Sequence, residues 1–174
     1  MLREIVLSTL LATSALASTH TPKINDDKPK TVYVNLINPD VACASHSGNV
    51  TLVYNNHRGT TASLECFNSK AHGKYVAIFD NGASEHEAYY KNGLKHGIEK
   101  QWELRGAWIQ TEVNWENGMR EGIATAYDHE GHLISEGYFH NNKRDGTWYL
   151  WSESGQLIVE TNYLNGKLNG LERS

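Results

Sequence analysis

The chain has 174 residues, of which 39% are hydrophobic and 21% are charged, and its formal net charge at pH 7 is −4. This length favours one domain with a modest core over two domains. Because basic residues are not in excess, the composition gives no reason to expect nucleic acid binding.

The N-terminal sequence is typical of a secretory signal peptide. Arg3 precedes a short apolar run, and the small residues Ala15 and Ala17 predict cleavage after Ala17. The apolar run is far shorter than the roughly 20 residues that span a bilayer, which disfavours a membrane anchor. We therefore predict a signal peptide at 1–17, a flexible polar linker at 18–30, and a secreted or periplasmic protein.

The segment that follows, 31–65, contains short strand-like runs separated by turn-prone residues and is predicted to form an N-terminal β cap. The only two cysteines of the chain are Cys43 and Cys66. In an exported protein an isolated pair is expected to form a disulfide. Metal binding through two thiolates alone is the weaker alternative.

The rest of the chain, 66–174, repeats with a period of about 24 residues. One glycine marks each period, at almost constant spacing. These marker glycines are Gly73, Gly97, Gly122, Gly146 and Gly170. Such a period indicates a repeat array rather than a set of independent elements.

Each repeat unit reads aromatic-x-Asn-Gly-x-x-x-Gly, with the marker glycine last. One unit has Asn142 in place of the first glycine, and the unit at 66–73 is degenerate. Asn-Gly between alternating segments predicts a tight β-hairpin turn, so each period should contain two strands and two turns. The repeat-defining residues are Tyr90, Gly93, Gly97, Trp115, Gly118, Gly122, Phe139, Gly146, Tyr163, Gly166 and Gly170.

Alternation along these strands predicts one apolar and aromatic face. The candidate binding face consists of Trp102, Trp115, Tyr127, Phe139, Tyr149, Trp151 and Tyr163. The opposite face is predicted to carry a column of carboxylates, which are Glu87, Glu112, Glu136 and Glu160. This column could be a track for cations or a solvated polar surface, and the second interpretation is favoured.

The repeat pattern resembles the MORN repeat (membrane occupation and recognition nexus), in the bacterial variant found in YwqK-type antitoxin-like proteins. The resemblance implies an all-β fold, an elongated and twisted antiparallel meander of hairpins. It also implies a role in protein interaction or, in some members, contact with lipid. An antitoxin that guards a cytoplasmic target would not be exported, so the predicted signal peptide conflicts with a literal antitoxin role.

The sequence offers little support for catalysis. His129, His132 and His140 are the best candidates for a metal site, but their spacing is not that of a zinc framework. No nucleophile elbow or phosphate-binding glycine loop occurs. We expect no enzyme activity and no cofactor. The predicted function is that of an exported repeat module that binds a protein partner. One alternative is a module that binds lipid or glycan at the membrane surface or cell envelope. The other alternative is an antitoxin-like neutralising protein.

Overall fold

The computed structural model of the protein describes residues 30–34, 39–44, 46–54, 60–103 and 106–170. The predicted signal peptide and nearly all of the predicted linker lie outside these residues. Within them, no helix combines the length and the apolar composition that crossing a bilayer requires.

The described residues form thirteen β-strands and one short helix. In chain order these are β1 (Lys30–Val34), α1 (Pro39–Ala42), β2 (Gly48–Tyr54), β3 (Thr61–Phe67), β4 (Lys70–Ile78), β5 (Ser84–Lys91), β6 (Leu94–Lys95), β7 (Gly97–Trp102), β8 (Ile109–Glu116), β9 (Met119–Tyr127), β10 (Leu133–His140), β11 (Lys143–Trp151), β12 (Leu157–Leu164) and β13 (Lys167–Leu168).

All thirteen strands belong to one open sheet. From β2 onward each strand pairs antiparallel with its neighbours in the chain, except that β6 and β7 both pair with β5. The predicted all-β meander of hairpins is therefore confirmed. Among the described strands, β1 departs from this pattern because it runs parallel to β2. The chain between them includes α1, which lies against β4.

The Asn-Gly pairs form the turns that the sequence predicts. Asn92 and Gly93 have φ values of 53° and 86°, so both central residues of the turn are left-handed. Asn142 replaces glycine in the third unit and adopts a φ of 66°, which asparagine tolerates better than most residues. Each period therefore folds as a hairpin whose register is set by its turn.

Successive turns are also joined to one another. The N–H groups of Gly93 and Gly118 donate to the carbonyls of Ala71 and Lys95, each at 2.8 Å. Each bond links a turn to the chain just before the preceding marker glycine. Neighbouring hairpins are thus connected at their ends as well as along their strands.

The buried core lies in the N-terminal part of the sheet. Val50, Leu52, Leu64 and Tyr75 are almost completely buried on one face of β2, β3 and β4. The predicted disulfide is present, and it joins Cys43, which directly follows α1, to Cys66 on β3, with their Cα atoms 5.5 Å apart.

One repeat position was not recognised in the sequence. Gly48 begins β2, has a positive φ of 109°, and lies one repeat period before Gly73. As in later repeats, the turn of the next hairpin is bonded to the chain just before the glycine. Here the N–H of Ser69 donates to the carbonyl of His46 at 3.1 Å. The sheet is continuous across the predicted boundary between 31–65 and 66–174, which falls inside β3.

Candidate binding surface

The sheet has two different faces, which we name from their residues. The stacking face carries the unit aromatics Tyr90, Trp115, Phe139 and Tyr163. The carboxylate face carries Glu87, Glu112, Glu136 and Glu160, each on the same strand as a unit aromatic and an odd number of positions before it. Since side chains alternate along a strand, residues at odd separations point to opposite faces. The carboxylate column therefore lies where the sequence places it.

The predicted candidate binding face requires a correction, because its seven residues are divided between the two faces. Gly97 pairs with Trp115 and Glu99 with Val113, so residues at even offsets from a marker glycine share the face of the unit aromatic. The downstream aromatics lie at odd offsets and point the other way. Trp115, Phe139 and Tyr163 are on the stacking face, whereas Trp102, Tyr127, Tyr149 and Trp151 are on the carboxylate face.

Cations cover the unit aromatics Trp115, Phe139 and Tyr163 on the stacking face. Lys95 Nζ lies 4.6 Å from the ring centroid of Trp115, and the guanidinium of Arg120 lies 4.1 Å from that of Phe139. Arg144 contacts Tyr163 in the same way at 5.4 Å. These cation–π pairs link each hairpin to the next one. The unit aromatics are therefore used within the sheet and offer little free surface.

A buried carboxylate on the stacking face was missed by the sequence reasoning. Glu99 is 6% exposed and accepts hydrogen bonds from Lys95 Nζ at 2.5 Å and Trp115 Nε1 at 2.7 Å, with His86 Nε2 at 2.6 Å. Burial opposes its ionisation, but the bonds from His86 and Lys95 and their charges hold the pKa of Glu99 at about 2. The corresponding residues of other repeats, Ala124 and Trp148, are uncharged, and this contrast could have revealed the site.

The carboxylate column is only partly neutralised within the chain. Lys74 Nζ donates to Glu87 at 3.1 Å, and Lys100 Nζ donates to Glu112 at 2.6 Å, a bond that raises the pKa of Lys100. Glu136 and Glu160 make no ion pair with the residues that the structure describes. Each lies in register with Tyr149, one on either side.

The histidines that the sequence suggested as a metal site do not converge. His132 Nδ1 lies 3.2 Å from Asp128 at one end of β10, whereas His140 Nδ1 lies 2.9 Å from Glu121 at the other end. The bond to Glu121 raises the pKa of His140. Across the described parts of the chain, no group of three potential ligands has a geometry that could hold a metal ion.

Exposed apolar side chains form two adjacent rows on the carboxylate face, beside the Asn-Gly turns. We call these two rows the apolar strip. The outer row, at the turns, consists of Phe67, Leu94, Met119 and Leu164. The second row contains Tyr89, Ile98, Ile123 and Tyr138, and polar residues interrupt it, since Asn114 pairs with Ile98 and Asp145 with Tyr138. All eight side chains are at least 41% exposed, and Ile123 pairs directly with Tyr138.

Charged residues border the apolar strip on both sides. Four lysines lie among the outer-row residues at the turns, namely Lys70, Lys91, Lys143 and Lys167, and Glu116 takes the equivalent place in one turn. The carboxylate column borders the second row, because each glutamate is the next residue on that face along its strand, as Glu136 is to Tyr138. The strip therefore has a mainly basic margin and an acidic margin.

The architecture is an open, single-layer sheet of β-hairpin repeats with one exposed apolar strip. Residues 120–141 and 144–165 match the MORN repeat variant, so the predicted resemblance is confirmed over these two segments. Assignment to the YwqK-type group stays a prediction. No curated protein matches the chain.

Proposed function

We propose that the protein is an exported, non-catalytic module that binds another protein through its apolar strip. The observation that carries the proposal is the exposure of eight large apolar side chains in two adjacent rows of one face. Exposed apolar patches of this kind with polar margins mark interaction sites. The match to the MORN repeat variant supports a binding role, and the matched segments contain Ile123, Tyr138 and Leu164 of the strip.

The environment of Glu99 supports a structural rather than a catalytic use of the stacking face. Its carboxylate is held by Lys95, Trp115 and His86, and it is 6% exposed. A general base or nucleophile must reach its substrate, and this group is enclosed by its own partners.

The disulfide supports export. The bond between Cys43 and Cys66 requires an oxidising compartment to form and persist in most cells. We expect the mature chain to begin at Ser18 and to be recovered from the medium or the periplasm. Mass spectrometry of the intact protein from each fraction checks both points, and a full-length cytoplasmic product with two free thiols would contradict export.

The proposed contact surface is tested with matched variants on the two faces. Ile98→Asp with Ile123→Asp places two charges in the apolar strip, whereas Leu150→Asp charges an exposed apolar residue of the stacking face. Proteins captured from an extracellular fraction by the wild-type chain should be lost with the double variant and kept with Leu150→Asp. Equal capture by the wild type and both variants would show that the apolar strip is not the binding surface.

A second candidate function is contact with a membrane surface, favoured by the composition of the outer row. Phe67, Leu94 and Leu164 alternate with the lysines of the basic margin, and apolar and basic side chains together favour an anionic bilayer surface. Sedimentation with anionic and neutral liposomes separates this function from protein binding. Sedimentation that depends on anionic lipid and on Phe67 and Leu94 would favour it.

The antitoxin-like and glycan-binding alternatives predict different partners for the protein. An antitoxin would form a stable complex with a cytoplasmic toxin, whereas a glycan-binding module would sediment with purified cell-wall material. Capture of a partner from a cytoplasmic fraction would support the antitoxin-like function. Sedimentation of the protein with cell-wall material would support the glycan-binding function.

A further inference from the structure

Two arginines on the stacking face are held against aromatic rings. The guanidinium of Arg120 lies 4.1 Å from the ring centroid of Phe139. The guanidinium of Arg144 contacts two rings, at 4.5 Å from the centroid of Trp148 and 5.4 Å from that of Tyr163. Packing against a ring restricts a long side chain, so both charged groups have a defined place on this face.

Most of the hydrogen-bonding capacity of these two arginines is not used within the described chain. A guanidinium carries several N–H donors in a planar fork. Arg120 donates to the carbonyl of Asn142 at 3.2 Å, and Arg144 donates to the hydroxyl of Tyr163 at 3.1 Å. Neither arginine forms an ion pair with a residue that the structure describes. Arg144 is exposed and Arg120 is half-buried.

The acidic residues next to these arginines in the chain serve the opposite face. Glu121 follows Arg120, and Asp145 follows Arg144. Each of these carboxylates accepts the N–H of the first asparagine in the following turn, at 2.8 Å and 3.0 Å. Since consecutive residues of a strand point to opposite faces, both carboxylates lie on the carboxylate face and leave the arginines without a counterion.

The equivalent cation one repeat earlier is neutralised by the chain itself. Lys95 lies two residues before its marker glycine, as the two arginines do, and it donates to the buried carboxylate of Glu99. The two later repeats have Ala124 and Trp148 in the place of Glu99. The repeat therefore pairs this cation with a carboxylate in one unit, and in the next two units the chain supplies none at that position.

We propose that Arg120 and Arg144 bind two carboxylates of an acidic segment of a partner protein. Each guanidinium would accept a carboxylate through parallel N–H donors, and the ring beside it keeps the planar fork in place. The pairing of Lys95 with Glu99 favours a carboxylate over other anions. This site lies on the opposite face from the apolar strip and goes beyond the function proposed for the strip.

The separation of the two arginines favours one segment with two acidic side chains over a single small anion. Arg120 lies on β9 and Arg144 on β11, and only β10 lies between these strands. The two strands therefore run roughly 10 Å apart. An extended segment advances roughly 3.3 Å per residue, so acidic residues a few positions apart reach both arginines.

Fluorescence anisotropy with a short labelled glutamate peptide tests the proposal on the full chain with its disulfide intact. A glutamine peptide of the same length is the uncharged control and should not bind. Arg120→Gln with Arg144→Gln should raise the dissociation constant of the glutamate peptide at least about tenfold, because two charge-assisted contacts are lost. Arg120→Lys with Arg144→Lys keeps both charges but loses the planar forks, so the dissociation constant should rise about threefold.

The matched control is Lys143→Gln with Lys167→Gln, which removes two exposed positive charges from the carboxylate face of the same end of the sheet. It should change the dissociation constant less than about twofold, since these charges are not at the site. A wild-type chain that does not bind the glutamate peptide, or equal losses for the arginine-to-glutamine and lysine-to-glutamine variants, overturns the proposal.

Two further measurements keep the test decisive. Circular dichroism shows whether each variant is folded. If the arginine-to-glutamine variant does not fold, the arginine-to-lysine variant decides, and an unchanged dissociation constant there overturns the proposal. Vesicles of anionic phospholipid are the alternative anionic surface, and tighter arginine-dependent binding to them than to the glutamate peptide overturns the assignment of a carboxylate partner.

Discussion

At the scale of single residues, the position of Glu99 depends on its hydrogen bonds. An ionised carboxylate at 6% exposure loses most of its hydration, and this cost is tolerable only when partners replace the water. Lys95 supplies the opposite charge and Trp115 an oriented N–H. With His86 as the third partner, the carboxylate joins four strands, which are β5, β6, β7 and β8.

We expect Glu99→Gln to lower the free energy of unfolding by about 2 kcal/mol, because the substitution leaves Lys95 without its anionic partner in a desolvated site. Urea denaturation followed by tryptophan fluorescence measures the change. Glu87→Gln is the matched control, since it removes the anionic partner of Lys74 in a more exposed ion pair and should cost less than about 1 kcal/mol. Equal losses for the two variants would contradict the structural role of Glu99.

The lowered pKa of Glu99 predicts that the stability of the protein depends on pH. The pKa of Glu99 is lowered from 4.5 to about 2 in the folded chain, so its stabilising contribution is fully present above pH 4.5 and is lost as the pH falls towards about 2. Glu121 and Asp128, whose pKa values are also lowered, contribute in the same direction. The difference in unfolding free energy between wild type and Glu99→Gln isolates the contribution of Glu99, and it should shrink over this range. A constant difference would contradict the assignment.

At the scale of the hairpin, the third repeat unit has Asn142 in place of glycine and compensates for the replacement. The side chain of Asn142 accepts the N–H of Arg120 at 2.8 Å, and its own N–H donates to the carbonyl of Arg120 at 3.0 Å. The Arg120 guanidinium also donates to the carbonyl of Asn142 at 3.2 Å. Asparagine therefore keeps the left-handed turn and adds a side-chain bond to the preceding hairpin that glycine could not make.

Two substitutions at this position separate the conformational effect from the hydrogen bond. Asn142→Ala should destabilise the protein by about 2 kcal/mol, because it loses the bond and forces alanine into a left-handed conformation. Asn142→Gly should cost about 1 kcal/mol or less, because glycine accepts a φ of 66° and only the bond is lost. Thermal denaturation of both variants measures the difference, and an equal loss would show that the bond alone matters.

The hairpins could be predicted from sequence because their determinants are local. Asn92-Gly93 fixes a turn through two residues alone. The assignment of faces was wrong because it depends on which residue pairs with the unit aromatic, and the pairing of Trp115 with Gly97 joins strands of different hairpins. The partners of Glu99 were missed for the same reason, since they converge only after four strands, β5 to β8, are in register. Gly48 could have been found by extending the repeat back by one period from Gly73.

At the scale of the whole molecule, stability is distributed unevenly along the sheet. Val50, Leu52 and Leu64 lie in a buried cluster beside the disulfide, whereas β8 to β12 have mostly half-buried side chains. In the second region each hairpin is held by contacts with its neighbours, through the turn bonds and the cation–π pairs. In such arrays the loss of one repeat need not unfold the distant ones.

Removal of the disulfide should therefore act locally. Cys43 and Cys66 are 23 residues apart, and opening a loop of that size costs about 3 kcal/mol, mainly because the unfolded chain gains freedom. In the variant Cys43→Ser with Cys66→Ser, α1 loses its covalent attachment to β3, so amide hydrogen exchange should accelerate in β2 and β3. Exchange in β10 to β12 should change little, because these strands are held by bonds such as Gly166 N–H to Arg144 O. Hydrogen exchange with mass spectrometry, compared between the variant and the oxidised wild type, resolves the two regions. Acceleration of equal size in both regions would show that the sheet unfolds as a single cooperative unit and that the disulfide stabilises all of it.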